Sequence, residues 1–250
     1  MPSPSRLRDS VRSAFDALIG LLYPERCQLC HANHARPSGG FVCADCLAAV
    51  IPVRPPACER CGLPFAGALT QRFDCPNCHD LSPAYTRARS AVHAKGSARD
   101  AIHLYKYHRA YWLEPFFREI WVPAAVQDLA SERWDGLVPV PLHPVKERER
   151  EFNQAERLAR LLGQALGTPV RKDLVIRSQA TTTQTRLTRT ERTWNVRAAF
   201  EPAPGLSIPN TRWVVVDDVL TTGSTTDAVA RVLRSAGASE VVVWTLARGV

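Results

Sequence analysis

The chain has 250 residues, of which 22% are charged, and its formal net charge is +8 at pH 7. This length can bury a full α/β core and a small extra module, and the excess of positive charge favours anionic partners such as a polyphosphate or a nucleic acid. No segment approaches the apolar length that spans a bilayer, so we expect a cytoplasmic protein without a membrane span.

The first predicted element is a helix in residues 1–23. Residues 11–23 are amphipathic, but Asp9 and Asp16 interrupt the apolar pattern and no small-residue cleavage site follows. These features argue against a signal peptide. The pattern favours a helix that packs on the protein core over one that lies on a membrane surface.

Residues 24–80 are rich in Pro and Gly and hold all eight cysteines. The cysteines form four Cys-x-x-Cys pairs: Cys27/Cys30, Cys43/Cys46, Cys58/Cys61 and Cys75/Cys78. Each pair can point two thiolates at one metal, so eight thiolates predict two structural zinc ions in a double zinc ribbon. Disulfides are the main rival, but no secretory signal accompanies the cysteines. The gap between the first and second pairs, residues 31–42, is similar in length to the gap between the third and fourth pairs, residues 62–74. This similarity favours two tandem ribbons, while cross-braced pairing of alternate pairs stays open.

Residues 81–136 are predicted to be a helical connector, with helical patterns at 98–108 and 111–130. From residue 137 strands and helices alternate, as a parallel sheet requires. The predicted elements are a strand at 137–142, a helix at 153–166, a short strand at 172–176, an edge strand at 197–200, a helix at 227–236 and a final strand at 240–246. We therefore expect one α/β domain over residues 137–250.

A polar loop is predicted between the short strand and the edge strand, at residues 178–195. Around it the chain carries five arginines against the single acid Glu191: Arg177, Arg186, Arg189, Arg192 and Arg197. Such a segment packs poorly, but it can close over a polyanion and exclude water. A nucleic-acid groove is the second interpretation, because these residue types contact phosphates and Trp194 could stack on a base.

The most specific motif begins with four apolar residues, 213–216, which are followed by Asp217 and Asp218 and then by a Thr/Gly/Ser loop at 221–225. The apolar run predicts a strand buried on both faces of a parallel sheet, and ligands bind at the carboxyl edge of such sheets. The loop offers N–H groups and hydroxyls at a helix N-terminus, which suits a phosphate. Carboxylates suit adjacent sugar hydroxyls, because they accept hydrogen bonds in a fork. The motif thus predicts a ribose 5-phosphate ligand.

The stretch VVVDDVLTTGST (214–225) resembles the signature of type I phosphoribosyltransferases, which bind phosphoribosyl pyrophosphate (PRPP). Two further stretches, VPVPLHPVKEREREFNQA (138–155) and RSQATTTQTRLTRTERTWNVRAAF (177–200), are similar to the ComF family of competence-related proteins. That family has an N-terminal zinc module and a phosphoribosyltransferase-like domain. The resemblance covers residues 27–248 and implies a type I phosphoribosyltransferase-like parallel sheet, PRPP binding and an association with DNA uptake or recombination.

The resemblance also assigns roles to residues of this chain. It implies that Asp217 and Asp218 hold the ribose hydroxyls. The residues that it implies for the 5-phosphate are Thr221, Thr222, Gly223, Ser224 and Thr225. Those that it implies for the pyrophosphate loop are Pro141, Leu142 and His143. Arg186 and Arg189 would be the catalytic arginines of the closing loop, and Mg²⁺ would accompany PRPP.

One position departs from the pattern of the family. Members usually have Gly before Phe-Asn-Gln, whereas this chain has Glu151. If the position requires a positive φ, a glutamate is strained there, and its charge would weaken pyrophosphate binding.

Three functions stay open, and the least favoured is a zinc-ribbon adaptor in which the α/β domain is only a scaffold. One of the other two is a phosphoribosyltransferase, a glycosyltransferase with an unknown acceptor. The other is a non-catalytic factor in natural transformation that binds single-stranded DNA or responds to PRPP. The intact acids and phosphate loop favour retained ligand binding, whereas Glu151 and the lack of a recognisable acceptor pocket favour binding over turnover.

Overall fold

The computed structural model describes residues 26–65, 67, 75–78, 82–179 and 198–249. The predicted helix in residues 1–23 and the loop residues Arg186 and Arg189 therefore lie outside the described residues. The chain forms two compact units, Met1–Val50 with Lys95–Ile120 and Ile51–Ala94 with Trp121–Val250. The division between them falls between the second and third cysteine pairs.

The first unit contains the first two cysteine pairs and mostly helical structure. Its helices are α1 (Ala44–Ala48), α2 (Gly96–His108) and the first part of α3 (Glu114–Leu129). Tyr105 of α2 packs edge-on against Phe117 of α3, with ring centroids 5.0 Å apart, and its hydroxyl donates a hydrogen bond to Glu114 at 2.8 Å. The two helical patterns predicted for the connector are thus confirmed.

The second unit is built on a parallel sheet of four strands in the order β1-β6-β5-β2. These strands are β1 (Ala88–His93), β2 (Gly136–Pro139), β5 (Arg212–Leu220) and β6 (Glu240–Arg248). The helices of this unit are the end of α3, α4 (Pro144–Arg150), α5 (Gln154–Leu166) and α6 (Ser224–Ser235). A separate antiparallel pair is formed by β3 (Val175–Arg177) and β4 (Phe200–Pro202).

The central strand β5 is buried on both faces, as its apolar run predicts. Val214, Val215 and Val216 have no exposed surface, and the facing run 241–243 of β6 is equally buried. Parallel strands covered on both faces lose the alternation of apolar and polar residues, because each side chain meets a helix or another core residue. The expected α/β class with a parallel sheet and an N-terminal cysteine module is confirmed.

Strand β1 is absent from the expectations drawn from the sequence, which place only helices in residues 81–136. Its segment ARSAVH mixes apolar and polar residues with neither a continuous apolar run nor a regular alternation, so it lacks the pattern of a buried strand. The polar groups have partners inside the sheet, because the Ser90 hydroxyl lies 2.6 Å from the Thr245 hydroxyl of β6. Strand β1 extends the sheet at the edge formed by β6, with Ala88 opposite Val243.

Strand β5 is longer than its apolar run. It continues through Asp217 and Asp218 to Leu220, because β6 pairs with it as far as Leu220 opposite Arg248. On the other side, the pairing with β2 stops where Pro139 meets Val216. The two acids therefore lie beyond the end of β2 while still belonging to a paired strand.

Among the described residues, no helix combines the length and the apolar character needed to cross a lipid bilayer.

Candidate functional site

The eight cysteines form two clusters in sequence order. Cys27, Cys30, Cys43 and Cys46 make the first cluster, and Cys58, Cys61, Cys75 and Cys78 make the second. Within each cluster the four sulfur atoms lie within 4.8 Å of one another. The pairing is therefore tandem, which settles the alternative that the sequence leaves open.

The sulfur separations fit a metal rather than disulfides. The Sγ atoms are 3.8 Å apart for Cys30 and Cys43, 3.9 Å for Cys58 and Cys78, and 3.5 Å for Cys61 and Cys75. A tetrahedral ion with Zn–S bonds of about 2.3 Å separates its ligands by about 3.8 Å, whereas a disulfide requires about 2.05 Å. Two tetracysteine sites of this kind fit two structural zinc ions.

Backbone N–H groups donate hydrogen bonds to sulfur atoms of the first cluster and favour their thiolate form. The N–H groups of Leu29 and Cys43 donate to the Cys27 sulfur at 3.5 and 3.4 Å. At Cys30, the backbone N–H groups of Asn33 and Ala32 lower the pKa of the thiol to about 6. Because the thiolate is the ligand, a lowered pKa favours metal binding at neutral pH.

The second cluster is attached to the parallel sheet of its own unit. The Ala88 N–H donates to the Arg60 carbonyl at 2.7 Å, and the Arg89 side chain donates to the Glu59 carbonyl at 2.8 Å. Gly62 fits closely there, because a Cβ would lie 2.6 Å from the Ala88 carbonyl and φ is +66°. The ribbon formed by the last two cysteine pairs thus packs directly on β1.

The acidic pair lies at the carboxyl half of β5. Asp218 is 8% exposed, Asp217 is half-buried, and the Asp218 N–H donates to the Asp217 carboxylate at 2.9 Å. Successive residues of a strand point to opposite faces of the sheet. The two carboxylates therefore lie on different faces of the sheet at this edge.

The loop 221–225 turns the chain from β5 into α6. Gly223 is the N-cap of α6 with φ 85° and ψ 1°, a left-handed conformation that favours glycine. A Cβ there would lie 3.0 Å from the Tyr85 hydroxyl. Thr221 and Thr222 are exposed, and the Thr222 and Ser224 hydroxyls lie 2.9 Å apart. The helix start and these hydroxyls provide the features that a phosphate group requires.

A buried arginine supports this loop and is absent from the site residues predicted from the sequence. Arg248, the last residue of β6, is 1% exposed. Its Nη1 donates to the carbonyls of Leu220 at 2.9 Å and Thr221 at 2.5 Å. Only the register of β6 against β5 brings it under the loop, so no local sequence signal identifies it.

The predicted pyrophosphate loop lies beside the acidic pair. It follows β2, and the pairing of Pro139 with Val216 places its start next to Asp217. Pro141, Leu142 and His143 are half-buried, and His143 caps α4. The buried Asn153 holds this loop, because its side chain donates to the Val140 carbonyl at 3.0 Å and caps α5 through the Ala155 N–H at 2.9 Å.

Arg177 is the one arginine of the basic set that the described residues bring to the site. It ends β3, and its guanidinium lies 5.2 Å from the centre of the Phe200 ring. Burial lowers the pKa of the Arg177 guanidinium, while the charge of Asp217 acts in the opposite direction.

Glu151 has a positive φ, the conformation that a glycine at this position in other family members would allow without strain. It follows α4 with φ 64° and ψ 1°. The left-handed region costs an L-residue other than Gly, Asn or Asp about 1–2 kcal/mol.

We expect Glu151→Gly to raise the free energy of unfolding by about 0.5–1 kcal/mol, because relief of this strain exceeds the added entropy of the unfolded chain. Chemical denaturation measures the change. Glu149→Gly is the matched control, since the same substitution inside α4 should destabilise the protein by a similar amount. Loss of stability in both variants would contradict a strained Glu151.

A known domain family matches the cysteine module. The double zinc ribbon domain matches residues 18–82, which include both cysteine clusters.

The whole chain is similar to proteins named for competence and DNA use. Competence protein F of Haemophilus influenzae is 29% identical over 229 residues, covering 89% of this chain and 96% of that protein. DNA utilization protein YhgH is 31% identical in Salmonella typhimurium and 30% identical in Escherichia coli, in both cases over 91% of this chain and 99% of the relative.

Two solved structures are similar to part of this chain. The allosteric regulatory enzyme of purine biosynthesis has a TM-score of 0.35 at 23% identity, and the similarity covers 52% of this chain and 25% of that one. Adenine phosphoribosyltransferase from Leishmania tarentolae has a TM-score of 0.37 at 14% identity, covering 58% of this chain and 74% of the enzyme.

Proposed function

Because this chain belongs to the ComF family, which includes competence protein F and DNA utilization protein YhgH, we propose that it binds PRPP at the carboxyl edge of its parallel sheet. The observation that carries the proposal is the arrangement on one continuous strand, loop and helix. Asp217 and Asp218 of β5 precede the loop 221–225, and that loop opens the twelve-residue helix α6.

Each part of PRPP has a chemical counterpart at this edge. The N–H groups and hydroxyls of the loop 221–225 suit the 5-phosphate, and the acids suit the ribose diol. The loop with Pro141, Leu142 and His143 suits the pyrophosphate. Mg²⁺ belongs to the proposal as part of the ligand, where it would neutralise phosphate charge, because it needs few protein ligands.

Phosphoribosyl transfer is the reaction that such a site supports. The bond between the anomeric carbon and the pyrophosphate oxygen breaks, pyrophosphate leaves with the electron pair, and an acceptor atom bonds to the carbon. The transition state is oxocarbenium-like. Asp217 and Asp218 orient the sugar, and Arg186 and Arg189 neutralise the leaving group. The molecule that accepts the phosphoribosyl group is not specified by these residues.

Single-stranded DNA binding is the second candidate, and two observations favour it. The relatives are named for competence and DNA utilization, and the net charge of +8 exceeds what one small polyanion requires. The segment with Arg186, Arg189 and Arg192 is where the two candidates differ, because it either closes over PRPP or tracks a nucleic-acid backbone.

Replacing Arg186, Arg189 and Arg192 together with alanine separates the candidates. If the segment closes over PRPP, we expect the variant to lose PRPP affinity and pyrophosphate release while DNA binding keeps its salt dependence. If the segment is a DNA groove, the log–log salt slope for single strands should fall by roughly 0.7 for each lost phosphate contact. Calorimetry with PRPP, and DNA titrations at several salt concentrations, give both readouts.

The wild-type protein provides the direct test of PRPP binding. We expect PRPP to bind more tightly than ribose 5-phosphate or pyrophosphate alone, because each of these engages only part of the edge. Equal or absent binding of all three would contradict the proposal. Pyrophosphate release, measured across amines and nucleobases with and without single-stranded DNA, then tests turnover.

A further inference from the structure

The second cysteine cluster contacts the proposed phosphate loop through Asn77. Asn77 lies between the ligands Cys75 and Cys78, and its side-chain Nδ2 donates a hydrogen bond to the Thr222 carbonyl at 3.2 Å. Both residues belong to the second unit. When two ligands three positions apart bind one ion, the chain between them has little freedom, so the direction of the Asn77 side chain depends on the metal site.

Tyr85 packs closely on the loop that the ribbon contacts. It is 2% exposed, and its hydroxyl lies 3.0 Å from the position that a Cβ of Gly223 would take. Burial raises the pKa of Tyr85, and the nearby sulfurs of Cys61 and Cys78 raise it further, so the phenol stays neutral. This buried ring therefore packs against Gly223, the left-handed residue of the loop.

The chain that leaves the ribbon is also fixed to the start of α6. The Ala84 N–H donates to the Asp227 carboxylate at 2.7 Å, and Asp227 is 3% exposed. One turn later, Arg231 pairs with Asp227 at 2.9 Å and donates to the Ser82 carbonyl at 2.5 Å. Loop and helix are therefore both held by the segment that contains and follows the last cysteine pair.

Peptide geometry gives the Asn77 contact a defined effect. In a planar trans peptide the C=O and the following N–H point in opposite directions. Because Asn77 holds the Thr222 carbonyl towards the ribbon, the Gly223 N–H points away from the ribbon.

Arg248 orients the two peptide groups that precede the Thr222–Gly223 peptide in the same way. It holds the carbonyls of Leu220 and Thr221. The N–H groups that follow these carbonyls belong to Thr221 and Thr222, and they must point away from Arg248. In the part of the chain that the structure describes, the backbone N–H groups of Thr221, Thr222 and Gly223 donate no hydrogen bond to a protein atom. Successive N–H groups form an anion-binding concavity where they converge, so these three donors are available to an anion.

We propose that the second zinc ribbon is a positioning element of the phosphate loop, in which Asn77 orients the Gly223 N–H for an anion. This inference rests on the proposed role of the loop 221–225 in binding the 5-phosphate of PRPP. Charge attraction is not the means, because a zinc ion with four thiolates carries a net negative charge. The ribbon acts through the hydrogen bond, so its effect on the loop is geometric.

Asn77→Ala tests this role, because alanine removes the donor and leaves all eight ligands in place. We expect zinc content to stay at the wild-type level. The backbone ¹⁵N order parameters of Thr222 and Gly223 should fall from about 0.85 towards 0.6 or less. PRPP affinity should fall about threefold to tenfold, as the loss of one aligned donor predicts. Ser239→Ala is the matched control, since it removes a 3.0 Å hydrogen bond from a side chain to the Thr211 carbonyl in the same unit, away from the loop.

The readouts distinguish this inference from the proposed function. Unchanged order parameters in Asn77→Ala overturn the positioning role, whatever PRPP does. If the order parameters fall in Asn77→Ala but the wild-type protein does not bind PRPP, the ribbon does position the loop and PRPP is not its ligand. A loss of zinc in Asn77→Ala would show that the residue stabilises the metal site itself and would overturn the role assigned to it.

Discussion

Replacing Cys58 and Cys61 with serine should remove close to one of two zinc ions and unfold the second ribbon. Structural zinc binds with an apparent free energy of about 10–16 kcal/mol, which matches the entire stability of a typical domain, about 5–15 kcal/mol. Because the Arg60 carbonyl accepts from Ala88 at the start of β1, we expect the loss to reach the sheet edge. Elemental analysis and thermal unfolding measure the two effects.

The first cluster supplies the control for this experiment. Replacing Cys27 and Cys30 with serine should remove the other ion, so each double variant should retain about one zinc per chain. Purified wild-type protein with no zinc and with its thiols joined as disulfides would refute both metal sites.

Replacing Asp217 and Asp218 together with asparagine should weaken PRPP binding by about 10²–10⁴-fold. A hydrogen bond to a charged group contributes about 1.5–3 kcal/mol, and two such bonds to the sugar are lost. Coulomb's law alone predicts the opposite change, because removing two negative charges favours a polyanion. Weaker binding would therefore identify sugar recognition rather than general electrostatics. Calorimetry with PRPP and with inorganic phosphate measures the difference.

Inorganic phosphate should bind the double variant at least as well as it binds the wild type. Asp173→Asn is the matched control, since Asp173 is an exposed acid whose partner is Arg171 at 2.8 Å. Equal losses for PRPP and phosphate would show that the acids do not contact the sugar. Because Asp217 and Asp218 point to opposite faces of β5, the single variants are expected to lose unequal amounts.

The metal sites and the central strand could be predicted from the sequence because their signals are local. A Cys-x-x-Cys pair needs only its own spacing to point two thiolates at one ion. The run 213–216 needs only its continuous apolar character to indicate a strand buried on both faces. The similar gaps favour the tandem pairing that the structure has, but spacing alone leaves alternate pairings open until the chain is folded.

The residues that support the loop could not be predicted, because their partners are distant in the chain. Asn77 and Thr222 are 145 positions apart, and Arg248 reaches Leu220 only through the register of two neighbouring strands. Strand β1 was missed for a related reason. Its polar residues have hydrogen-bond partners in other parts of the structure, so its own sequence does not show that it is buried.

The order of the strands constrains how the protein can be made. Strand β1 takes its place beside β6, and β6 is synthesised about 150 residues later. At about 5–20 residues per second, the ribosome needs roughly 7–30 s to add that length. During this interval β1 can bond to residues 51–53 along one edge, but the edge that later pairs with β6 is open, and an open strand edge is a site for aggregation. The four ligands of the second ribbon are complete once Cys78 has emerged, so the metal-bound ribbon is the part of this unit that can form first.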